Sequence, residues 1–175
     1  MEIILKLLGA VLTVGGGSAL GFYFGNLESR RAADLLELKK ALAVLKGEME
    51  FARAALPECM ANASHRTEGE MSAVFSRMSE LLRAGRVPGV GRLWEKSFTE
   101  CGRGLHFNAD DYEQIFSFGR TLGYLDLNLQ THSIRILENY IEASVAALNE
   151  TRGKSRKMFG SLGVLGGLLA VVIFL

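Results

Sequence analysis

The sequence predicts an all-α protein: a cytoplasmic antiparallel bundle of about six helices flanked by two transmembrane helices. Three observations predict it. Apolar residues form 49% of the 175 residues beside 22% charged ones, and they concentrate at the two ends. Between the ends they recur every three or four residues, the period of one helix face. Alternating β-branched runs, the mark of half-buried strands, are absent. The predicted organisation is an N-terminal transmembrane helix over 1–25, a helical bundle over 26–157 and a C-terminal transmembrane helix over 158–175.

From Ile3 to Phe24 the polar interruptions are Lys6, Thr13, Ser18 and Tyr23. At 1.5 Å per residue this stretch can cross a hydrocarbon core about 30 Å thick. Glu2 offsets Lys6, and no small-x-small cleavage site follows, so a retained helix is predicted rather than a signal peptide. Met158 to Leu175 carries no charge. Gly17, Gly21 and Gly25 in the first segment, and Gly163 and Gly167 in the second, are spaced by four. That spacing lets two helix backbones approach closely, which makes these glycines candidates for transmembrane packing.

Arg30, Arg31, Lys39 and Lys40 follow the first span, and Arg152, Lys154, Arg156 and Lys157 precede the second. Positive charge marks the cytoplasmic side. The expected localisation is therefore a multi-pass cell-membrane protein with its bundle facing the cytoplasm. The second basic cluster is expected to lie against anionic lipid.

In the central region, Leu35, Leu38, Leu42, Leu45, Met49, Ala52 and Leu56 step by three and four along one face. Pro57 ends this helix or opens the next, and a short helix is expected through Met60. Met71, Val74, Phe75, Met78, Leu81 and Leu82 mark another, ended by Gly85 and Pro88-Gly89. Val90, Leu93, Trp94, Ser97, Phe98 and Cys101 mark the next, which stops at Gly102-Arg103-Gly104. Asn108 or Asp110 caps a helix with Tyr112, Ile115, Phe116, Gly119 and Leu122 inward. Asp126 caps the last, with the seam Ile134, Leu137, Ile141, Ser144 and Leu148. Helices joined this closely form an antiparallel bundle.

Signals for chemistry are sparse. Gly15-Gly16-Gly17 has no following Lys-Ser or Lys-Thr, so it is not a phosphate loop. Cys59 with His65, and Cys101 with His106, lack zinc-site spacing, and no cofactor or metal is expected. With two Cys and a formal net charge of +1, neither a disulfide scaffold nor a nucleic-acid binder is indicated. Carboxylates cluster at Glu48, Glu50 and Glu58, at Glu68 and Glu70, and at Asp110, Asp111 and Glu113. No nucleophile or oxyanion donor accompanies them, so no catalytic residue is nominated and the protein is read as not an enzyme. Such clusters read as solvated faces or helix N-termini, and the alternative is docking of a basic partner. Glu48, Glu50 and Glu58 are the docking candidates.

Several landmarks coincide in this chain: Leu56-Pro57 after the Leu-rich helix, Leu122-Gly123-x-x-Asp126-x-x-x-Gln130, and Lys157-Met158-Phe159-x-x-Leu162-Gly163 leading into the last span. With these the chain resembles the stage III sporulation protein AB family. That family is similar to the cytoplasmic domain of type II secretion F proteins, the inner-membrane platforms of secretion machines. Leu56, Pro57, Leu122, Gly123, Asp126, Gln130 and Leu162 are the motif positions. The resemblance implies a non-enzymatic platform in the mother-cell membrane. It would serve a channel complex between mother cell and forespore, beside a secretion-type ATPase and other channel subunits; a homo-oligomer is a separate expectation. The alternative function is a two-span, membrane-anchored helical sensor of a small ligand, by analogy of architecture.

Overall fold

Helical period and turn chemistry divide the chain much as its sequence suggests. The computed structural model describes residues 26–85, 89–123 and 127–174, with side chains described as far as residue 151 except Leu127. Among the described residues there are helices and no strands. Helix α1 covers 26–47 and passes into a π-helical turn, Glu48–Ala52. Then come α2 (Leu56–Arg66), α3 (Gly69–Ala84), α4 (Val90–Cys101), α5 (Ala109–Thr121) and α6 (Leu127–Phe174). Contacts divide the chain into a domain over Arg30–Val145 and a second unit formed by Met1–Ser29 with Ala146–Leu175. The described parts of the second unit, 26–29 and 146–174, are helical.

The seam of α1 is buried as its spacing predicts: Leu35, Leu38, Leu42 and Leu45 are fully enclosed, and Met49 nearly so. It stops there. Ala52 is exposed and Leu56 only half-buried, because the extra residue in the π turn rotates the chain off the α period. The turn closes at Arg53, which takes a left-handed conformation at φ 48°. Pro57 stands in the first turn of α2, where its missing N–H costs nothing. Helix α2 runs to Arg66, beyond the expected end at Met60. Its inner face uses small residues, Cys59, Ala63 and Ser64, besides Met60. Seryl hydroxyls join it to α3: Ser72 Oγ donates to Ser64 O at 2.9 Å, and Ser79 Oγ donates to Pro57 O at 2.8 Å.

Consecutive helices from α2 to α5 pack on one another. Trp94 is the pivot of this stack, fully buried on α4. Its indole N–H donates to Ile115 O on α5 at 2.9 Å. Its ring meets Phe75 and Phe118 edge-on, with centroids 5.6 and 5.5 Å away. Gly119 makes room for that ring, because any Cβ there would overlap the indole. On α5 the buried residues are Asp111, Ile115, Phe118 and Gly119, with Leu122 just after the helix. Tyr112 and Phe116, expected inward, are half-buried, and Phe118 takes the inner place. On α6 the expected seam holds, with Ile134, Leu137, Ile141 and Leu148 buried and Ser144 half-buried.

Among the described residues no helix is long and apolar enough to cross a membrane. The span expected over 1–25, with Gly17, Gly21 and Gly25, lies outside the described residues. For 158–174 the backbone is helical, within α6, while the surroundings of Leu162, Gly163 and Gly167 lie outside the described residues. The same holds for the side chains of Arg152, Lys154, Arg156 and Lys157, and Asp126 is likewise undescribed.

Candidate docking site

The three docking carboxylates come from two neighbouring elements. Glu48 and Glu50 stand on the π turn, on either side of the buried Met49, and both are half-buried. Glu58 is exposed in the first turn of α2, where negative charge suits the helix dipole. Glu48 and Glu58 both act on the buried thiol of Cys59. Burial pushes its thiol up to about 11, and the charges of Glu48 and, more weakly, Glu58 push the same way. The thiol donates to Ala54 O at 3.4 Å. Such a group stays protonated and unreactive at neutral pH. Glu58 also faces Arg83 at 3.9 Å, a long contact between exposed groups. Glu48 and Glu50 make no ion pair among the described residues.

Glu70, Asp34 and Glu37 accept backbone N–H groups instead. Glu70 accepts the Gly104 backbone N–H at 2.6 Å, and any Cβ at Gly104 would overlap the carboxylate. Asp34 Oδ2 accepts the His106 backbone N–H at 2.7 Å and lies 2.9 Å from the ring Nδ1. Glu37 accepts the Glu68 N–H at 3.3 Å. Together Asp34, Glu37, Glu68 and Glu70 line a cavity of about 350 Å³ between α1, the start of α3 and the loop before α5. Among the described residues no three His, Cys, Asp or Glu side chains are arranged to hold a metal ion.

Asp111 is the most deeply placed carboxylate among the described residues, with its side chain fully enclosed. Its spacing from Asn108 creates a capping box. The Asp111 N–H donates to Asn108 Oδ1 at 2.8 Å, and the Asn108 N–H donates to Asp111 Oδ2 at 2.9 Å. Arg31 on α1 adds a forked pair, Nε to Oδ2 at 2.7 Å and Nη2 to Oδ1 at 2.9 Å. Tyr140 on α6 donates its hydroxyl to Oδ1 at 2.8 Å. Four donors therefore meet one carboxylate. Burial opposes its ionisation, but the Arg31 guanidinium, the Asn108 N–H and the Tyr140 hydroxyl outweigh it and hold Asp111 below the usual carboxylate range. Asp111 in turn holds Arg31 above its ordinary value. Burial, reinforced by its bond to Asp111, raises Tyr140. Only the Asn-x-x-Asp spacing of this cluster is a local signal; Arg31 and Tyr140 come from helices 80 and 29 residues away.

The motif positions serve the bundle where they are described. Leu122 is buried. Gly123 turns the chain at φ +83°, with Val90 against the place a Cβ would occupy. Pro57 offers its carbonyl to Ser79, and Leu56 and Gln130 are half-buried.

The described residues form an all-helical domain whose deepest polar groups tie helices to one another. A family model described as stage III sporulation protein AB matches residues 6–175, and the chain belongs to that family. The stage III sporulation protein AB of Bacillus subtilis (strain 168) is 30% identical over 171 residues, covering 98% of this chain and 99% of that protein. A solved structure of stage III sporulation protein AB superposes with a TM-score of 0.65 at 25% identity, covering 71% of this chain and 98% of the solved one. The family takes its name from a stage of sporulation and not from a reaction.

Proposed function

We propose that this sporulation protein is a non-enzymatic platform anchored at both ends in the mother-cell membrane. Its bundle faces the cytoplasm, where it docks a secretion-type ATPase and other subunits of a channel complex leading to the forespore. One observation carries the reading. The buried Asp111 and the loop-holding Asp34 and Glu70 are consumed in structural hydrogen bonds, while Glu48 and Glu50 remain accessible without an ion-pair partner among the described residues. Carboxylates used in this way suit surface recognition, and not the acid–base cycling of a reaction centre. Two membrane anchors would fix the orientation of the bundle and raise its effective concentration against membrane-bound partners.

The test is reversal of charge in the full chain. Glu48→Lys, Glu50→Lys and Glu58→Lys together are expected to weaken association with the ATPase at least tenfold, with a marked loss of salt dependence. Unchanged association, measured in reconstituted membranes, removes this surface from the account.

A further inference from the structure

The π turn carries a feature that the docking carboxylates do not explain. Phe51 is 86% exposed, the most exposed of the large apolar side chains among the described residues. A solitary exposed apolar residue is ordinary on a protein surface, but Phe51 is not displayed by ordinary backbone. It lies in a π-helical turn of five residues, closed by Arg53 in a left-handed conformation that a residue with a Cβ adopts at a cost. Two uncommon backbone states in succession concentrate at functional positions. Their combined effect is geometric. Met49 stays buried as the last residue of the α1 seam, and two residues on Phe51 is turned outward, close to Glu48 and Glu50.

We infer that Phe51 is the apolar anchor of the docking surface, received by an apolar pocket with a Lys/Arg rim on a soluble protein partner. The inference rests on the platform reading above and names the partner's side of that contact. Charge favours this occupant over the others. From 46 to 58 three carboxylates, Glu48, Glu50 and Glu58, stand against Lys46 and Arg53, for a formal charge of −1. An anionic bilayer repels such a knob, since membrane-inserting aromatics come with basic neighbours. The cavity between α1 and α3 is lined by Asp34, Glu37, Glu68 and Glu70, so on a second copy it would repel this acidic knob. The ring supplies the apolar contact, as aromatic anchors in pockets do, and the carboxylates around it supply the salt-dependent part of the affinity.

The experiment has two arms, both on the full-length chain in membranes. In the first, a photoreactive phenylalanine analogue replaces Phe51 or, as a control, the exposed Thr99 of α4. An adduct with the secretion-type ATPase from position 51 and not from 99 is expected; adducts only with lipid, only with a second copy, or with nothing overturn the inference. In the second, binding of the purified ATPase is measured. Phe51→Ala is expected to lose at least tenfold in affinity, Phe51→Leu to keep most of it, and both to melt like the parent chain. If Phe51→Ala binds within twofold of the parent, the anchor falls while the docking reading stands. If the parent chain itself does not bind the ATPase, both fall.

Discussion

Asp111 is where a single atom change has the largest expected consequence. Its two oxygens accept from Arg31, Asn108 and Tyr140, so α1, α5 and α6 share one carboxylate. Asp111→Asn removes the charge, offers an N–H to at least one donor and leaves Arg31 without its counter-ion. Breaking a buried pair from one side costs about 3 kcal/mol, and chemical denaturation should show a loss of this order. The pH dependence has a definite sign. Because the folded state lowers the Asp111 pKa, its contribution is complete above the unfolded carboxylate value, about 3.9. It is lost as pH falls through the lower folded value. An acid titration of the parent and of Asp111→Asn should therefore converge at low pH. Parallel curves throughout would show that the carboxylate is not linked to folding.

At the scale of elements, the contact between α4 and α5 is set by a missing side chain. Trp94 occupies the space that a Cβ of Gly119 would need. Gly91 faces Gly119 O and Arg120 Cα at 3.1 Å from the place its own Cβ would take. Gly119→Ala must displace a fully buried indole that also donates to Ile115 O. Overpacking of this kind costs about 1–3 kcal/mol. Gly85→Ala, at a left-handed helix end with open space around it, should cost about 1 kcal/mol from conformation alone. Thermal melts of the two variants separate packing from backbone strain, and equal shifts would contradict the notch.

The elements differ in how far their sequences foretold them. The seams of α1 and α6 were readable because large aliphatic residues repeat at the helical period and are buried at that period. Helix α2 reads as shorter in the sequence than it is, because Ala61, Ala63 and Ser64 give a weak apolar signal although Ala63 and Ser64 are buried. The π turn leaves no trace in periodicity except the two seam positions that fail, Ala52 and Leu56. The Arg31–Asp111–Tyr140 cluster was unreadable for another reason. A single sequence gives no sign that charges 80 residues apart meet, and a buried aspartate in an acidic stretch looks like a solvated one.

For the whole molecule, the domain over Arg30–Val145 has its own core, and the platform we propose puts it on the cytoplasmic side of a membrane. Reporter fusions between α3 and α4 and after Leu175 should read as cytoplasmic and external respectively. A central reporter found outside the cell would remove the platform reading, because a cytoplasmic ATPase could not reach Glu48 or Phe51.

The π turn also bears on how this protein tolerates change in length. An α-helix with one surplus residue is an insertion already accommodated, bracketed by Met49 on one side and the fresh start of α2 after Ala55 on the other. Between those two fixed points the chain can shed or add a residue while the aliphatic seam keeps its phase. The exposed turn around Phe51 is thereby free to change shape without any renegotiation of the interior.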